Sequence, residues 1–131
     1  EVNVIAPLLE REARDPVEMK TVGGVVENRL RLGMPLQVDA TLQYAKGYNR
    51  ALDTWWAEPS AADKQVVSPF NTYMYKGLPP GPICNPGKAA LIAAAKPDRT
   101  DYLFYISDRT GQMHYAKSLE EHNANISQYL R

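Results

Sequence analysis

The chain has 131 residues, with fifteen basic and fifteen acidic side chains and a formal charge of zero at pH 7. That length fits one domain with one real core, and 44% hydrophobic and 23% charged residues are ordinary for a globular protein. The even charge balance argues against a nucleic-acid or anionic-membrane surface, the single Cys84 excludes an internal disulfide, and no apolar run approaches the ~20 residues of a membrane-spanning helix.

The chain opens on a helical pattern, EVNVIAPLLEREA, rather than on a methionine or a signal sequence, and so reads as a domain excised from a longer protein. Residues 2–14 carry Val2, Val4, Ile5, Leu8 and Leu9 on a broad apolar side, with Pro7 near the first turn or kinking the helix. Asp15-Pro16 is a cap followed by proline at the first helical position, which starts a second helix running to about Leu32 and stopped by Gly33. Asp39 is placed to cap a short helix that Gly47 ends.

From Tyr48 to Ser68 the pattern is irregular, apart from a short helical turn at SAADKQ, and Asn71–Tyr75 is β-like. Residues 76–87, KGLPPGPICNPG, hold four prolines and three glycines in twelve positions, which rules out a regular helix or a central strand. This is a stiff, sharply turned loop, either a rigid connector or the wall of a cleft. Asn85-Pro86 opens a further helix that must finish near Pro97. Two short strands, within Asp101–Ser107 and Gln112–Ser118, flank a hairpin turn at Asp108–Gly111. Ser118 with Glu121 three residues on is a capping-box pattern for a last helix. The sum is an α+β fold, with several helices packed around a small antiparallel sheet and the Pro/Gly loop lining a cleft.

No cluster of His, Cys, Asp and Glu has metal-ligand spacing, and no nucleophile elbow or phosphate-binding glycine loop is present, so neither metal nor cofactor is expected. Carboxylate acid–base chemistry is what remains for an enzyme. On the first helix, the 100° step puts Glu12 between Leu8 and Ile5, near the middle of the apolar stripe, and Glu10 at its edge beside Ala6 and Ala13. A carboxyl in such a place gains a raised pKa if it faces a cleft; either is equally suited to a surface salt bridge. Gln37 and Asp39, two apart, share a face in extended chain. Asn71, Tyr73 and Asn85 bracket the Pro/Gly loop with hydrogen-bonding groups. Tyr44 and His122 are further candidates for contact with a polar ligand, and Arg29 and Arg31 read as solvated helix charges that double as attractors of carboxylates.

Five stretches in order, APLLEREA (6–13), ENRLRLGMPLQVDATLQY (27–44), SPFNTYMYKGLPPGPICNPG (68–87), AAAKPDRTDYLFYISD (93–108) and SLEEHN (118–123), resemble the YceG-like endolytic murein transglycosylases over essentially the whole chain. The resemblance implies that residues 1–131 form one catalytic domain, separated from an N-terminal membrane anchor and a LysM-like region. It implies lytic cleavage of the MurNAc–GlcNAc bond with 1,6-anhydro ends, on peptidoglycan strands outside the cytoplasmic membrane and beside peptidoglycan synthases. It assigns the catalytic acid to the first glutamate of the E-[KR]-E motif, Glu10; beside it, the residues themselves offer Glu12 as support for the helix or for Glu10, and Gln37, Asp39, Tyr44, Asn71, Tyr73, Asn85 and His122 as the expected substrate contacts. A non-catalytic glycan-binding module and a hydrolytic muramidase with a second carboxylate (Asp39 or Asp53) are the competing readings.

Overall fold

The computed structural model describes residues 1–130. Its first helix, α1, runs Val2–Glu12 and buries Ala6, Pro7, Leu8 and Leu9, so Pro7 lies inside the helix and on its packed face. The second, α2, runs Pro16–Leu32, as the sequence signals require. The Asp15 side chain accepts the Glu18 N–H at 2.9 Å, and Gly33 closes the helix in the left-handed region at φ 70°. Helix α4, Lys88–Ala95, packs across both α1 and α2, and Leu8, Leu9, Val22, Val26, Ala90 and Ala93 form the middle of the core. Between α2 and α4 lie α3, Asp39–Lys46, and a 3-10 turn, Ala61–Gln65.

Two glycines on α2 decide what can lie against it. A Cβ on Gly24 would stand 2.3 Å from the Asp98 carbonyl oxygen, and one on Gly23 would stand 3.2 Å from the Pro97 side chain. Their absence lets residues 97–100 run directly over the helix. The next turn of α2 then fastens the same segment: Asn28 Nδ2 donates to the Thr100 and Tyr102 carbonyls at 2.6 and 3.0 Å, and Arg29 Nε donates to the Leu103 carbonyl at 2.7 Å. That fastening aims the sheet, which begins one residue later.

The sheet is a single hairpin of β1, Phe104–Ser107, and β2, Met113–Ala116, with Tyr105 opposite Tyr115. Asp108 ties its turn by accepting from Thr110 N, Thr110 Oγ1 and Gln112 N through one oxygen. A two-stranded hairpin is marginal alone; here α5, Leu119–Tyr129, packs on both strands. The Ser118 hydroxyl caps α5 by accepting the Glu121 N–H at 3.2 Å.

Three local expectations change. Asp39 is the first residue of α3 rather than its cap, because Val38 holds the cap position and the Asp39 side chain is engaged elsewhere. Helix α4 starts at Lys88, after Gly87, and not at Asn85-Pro86. Asn71–Tyr75 is a turn, not a strand: Met74 and Tyr75 both donate to the Asn71 carbonyl, and the fully buried Asn71 amide donates to the carbonyls of Lys64 and Val66. Side-chain bonding of this kind lets an asparagine override the β propensity of its neighbours.

Candidate active site

An open groove of about 780 Å3 lies between α1, the chain entering α3, the hairpin and α5. Its residues come from separate parts of the sequence, and the alternation of β1 divides them. Tyr105 reaches one way, its hydroxyl donating to Glu12 Oε1 at 3.0 Å. Phe104 turns the other way and stacks on the His122 ring, centroids 4.9 Å apart.

Glu12 sits on the last turn of α1. Burial raises its pKa from 4.5 to about 7; the Tyr105 hydroxyl and Arg11 oppose the shift, and the negative charge of Asp39 adds to it. A carboxyl so placed is protonated in a good fraction of molecules at neutral pH and still ionises readily, which suits a group that first gives and then takes a proton. The Tyr105 phenol, itself buried, is held well above its usual pKa and stays a donor.

Asp39 and Tyr73 form the facing wall. The Tyr73 hydroxyl donates to Asp39 Oδ1 at 2.5 Å. A buried threonine pair fixes this contact. Thr72 Oγ1 accepts the Val38 N–H at 2.9 Å and lies 2.8 Å from Thr41 Oγ1, while the Thr72 carbonyl accepts the Gln37 N–H at 3.1 Å. Gln37, at φ 53°, is in the left-handed region that non-glycine residues seldom adopt, at the lip of the groove.

Arg29 and His122 occupy the Phe104 side. Arg29 is only 7% exposed, gives Nε and Nη1 to backbone carbonyls, and has no carboxylate within ion-pair reach among the described residues. Burial and then the Arg29 charge lower the His122 pKa, so its ring is neutral at pH 7.

The structure therefore brings Glu12, Gln37, Asp39, Tyr73 and His122 together and leaves other sequence candidates apart. Glu10 does not line the groove. Its Oε1 accepts the Gly87 N–H at 2.6 Å, placing a carboxylate at the start of α4, where a helix N-terminus favours negative charge. This departs from the expectation taken from resemblance, which put the acid at Glu10. Asn71 is a buried structural amide, Tyr44 packs on Phe70 with centroids 4.7 Å apart, and Asn85 is exposed beyond the groove. The loop at 76–87 contributes no groove-lining side chain; it lies on α1, with the Cys84 thiol donating to the Pro7 carbonyl at 3.4 Å.

The sequence pattern assigns no role to Tyr105, and it places Arg29 among solvated helix charges rather than in a buried position. A signal for Arg29 was present: it follows Val22 and Val26 at spacings of four and three, on the buried stripe of α2, where a lone cation is out of place.

The YceG-like family profile matches residues 1–128. A Bacillus subtilis (strain 168) protein named endolytic murein transglycosylase is 37% identical over 126 residues, covering 96% of this chain and 33% of that protein. A protein of the same name from Streptococcus pneumoniae (strain D39) is 34% identical over 131 residues, covering 99% of this chain and 24% of that protein. A crystal structure of a YceG-like protein from Listeria monocytogenes matches with a TM-score of 0.84 and 38% identity, over 92% of this chain and 38% of the other. The chain thus spans a third or less of the length of these curated relatives.

Proposed function

The chain belongs to the YceG-like family, and on that premise we propose that it is the catalytic portion of a lytic transglycosylase with Glu12 as its acid and base. The substrate is a peptidoglycan glycan strand, cut internally between N-acetylmuramic acid and N-acetylglucosamine outside the cytoplasmic membrane. The remaining length of such a protein supplies the membrane anchor and any contact with wall-synthesising enzymes. The observation that carries this reading is a partly buried carboxyl, raised by desolvation to a pKa of about 7, opening on a groove of about 780 Å3. That volume falls within the range of pockets that hold small organic ligands.

Protonated Glu12 donates to the glycosidic oxygen as the bond from C1 to that oxygen breaks and positive charge grows on the ring. The ionised carboxylate then takes the proton of the muramoyl 6-hydroxyl, whose oxygen bonds to C1. One proton leaves Glu12 and one returns, so the group ends as it began and no water is consumed. An attacking hydroxyl on the same sugar carries the large advantage of an intramolecular reaction. Tyr105 keeps the carboxyl aimed while leaving one oxygen for chemistry. Gln37, Asp39 and Tyr73 hold sugar hydroxyls and acetamido groups from the opposite wall.

A muramidase would need a second carboxylate to activate water, and of Asp39 and Asp53 it is Asp39 that lines the groove. The Tyr73 hydroxyl on Asp39 favours a positioning role instead. The two reactions differ in the mass of what they release. Digestion of purified peptidoglycan followed by mass spectrometry is expected to give 1,6-anhydro-muramoyl ends; products heavier by one water would replace this reading with a hydrolase, and intact strands would leave a binding module.

A further inference from the structure

Arg29 carries a cation that the fold has buried without an anion. Two of its nitrogens are spent on backbone carbonyls, at 2.7 Å for Nε to Leu103 and for Nη1 to Pro35, and Nη2 has no hydrogen bond among the described residues. Taking a guanidinium out of water is costly when no counter-charge meets it. The guanidinium lies over the Phe104 ring, 4.9 Å from its centroid, and lines the groove. Stacked on that same ring is His122, whose Nδ1 is sealed from solvent with no partner. Arg29 Nη2 and the His122 ring thus meet at one aromatic side chain without hydrogen-bond partners among the described residues, while Tyr105 turns the other way from β1 toward Glu12.

We propose that Arg29 and His122 form a carboxylate-binding subsite that reads the acid group carried by a muramoyl unit. The source of that acid is either the lactyl carboxylate on the sugar or a carboxylate of the peptide attached to it. The free Nη2 of Arg29 offers a charge-assisted donor, which favours an ionised carboxylate over a neutral hydroxyl. N-Acetylglucosamine lacks the lactyl group, so the subsite fixes which sugar of the alternating strand lies beside Glu12, and hence which bond is cut. This inference rests on the transglycosylase reading but is tested by binding alone.

The test titrates the isotope-labelled chain, followed by NMR, with N-acetylmuramic acid, N-acetylglucosamine and N-acetylmuramoyl-L-alanyl-D-isoglutamine. In the last probe the lactyl acid is an amide and the only carboxylate belongs to the peptide. One of the two acid-bearing probes is expected to bind about tenfold more tightly than N-acetylglucosamine, as charge-assisted bonds to a buried cation allow, and to shift the His122 ring signals. The tighter of the two identifies the source. H122A and R29Q are each expected to bring the preference within about twofold. Because R29Q gives up two bonds that hold the chain, H122A decides if R29Q does not fold. Equal binding of all three probes, or a preference that survives in H122A, overturns the subsite. Anhydro products without any binding preference would sink the subsite and spare the enzyme; a preference without cleavage would do the reverse.

Discussion

Glu12 combines a partly buried position with a charge it must carry for part of each turnover, and the two demands have opposite effects on stability. Its pKa in the folded chain, about 7, exceeds the 4.5 of an exposed carboxyl, so the folded state holds this proton more tightly than the unfolded state does. Stability from this group is complete below pH 4.5 and declines as pH rises through 7. Replacing the carboxyl with an amide removes the decline. E12Q is expected to be more stable than the parent at pH 8, by on the order of 3 kcal/mol, and to match it near pH 4, as thermal melts at the two pH values will reveal. For catalysis, the protonated form starts the reaction, so kcat/KM is expected to fall about tenfold per pH unit above 7. The Tyr105 bond lowers the Glu12 pKa, so Y105F moves that alkaline limb to higher pH. A limb that stays put in Y105F while kcat falls would mean that Tyr105 acts on something other than this carboxyl.

Elements place these residues through bonds that no single segment encodes. The turn at 71–75 meets the chain entering α3 through Thr72, which receives the Val38 N–H and lies against the Thr41 hydroxyl, and this buried contact backs the Tyr73–Asp39 bond at the surface of the groove. T72V keeps the shape but leaves that N–H unpaired, with an expected loss of about 2 kcal/mol in urea unfolding and a weakened wall opposite Glu12. A loss confined to a few tenths would mean that packing, not this bond, holds the wall. The same long-range bonding explains what the sequence hid. Caps at Asp15, Gly33 and Ser118 and the hairpin around Asp108–Gly111 are local signals, and they appear in the structure as read. The 71–75 turn depends on Asn71 reaching back to Lys64 and Val66, a partner choice that alternation of residue types along the segment cannot register.

At the scale of the molecule, the α+β arrangement followed from local patterns, but the groove did not. It is assembled from α1, residues 36–39, Tyr73, the hairpin and α5, far apart in sequence: α1 packs on α2 and α4, β1 meets α2, and α5 packs on both strands. The helical wheel has Glu12 nearer the apolar stripe, and in the structure Tyr105 of the hairpin meets the carboxyl there. Glu10, two residues earlier, turns to the α4 N-terminus instead. The two glutamates are therefore expected to separate cleanly. The most direct measurement is the yield of 1,6-anhydro-muramoyl ends from purified peptidoglycan, by mass spectrometry, with the parent chain, E12Q and E10Q at equal folded concentration. The expected result is a loss of at least about a thousandfold for E12Q and, for E10Q, retention within a fewfold of the parent. Full yield from E12Q, or loss in E10Q alone, would contradict the assignment of the acid to Glu12.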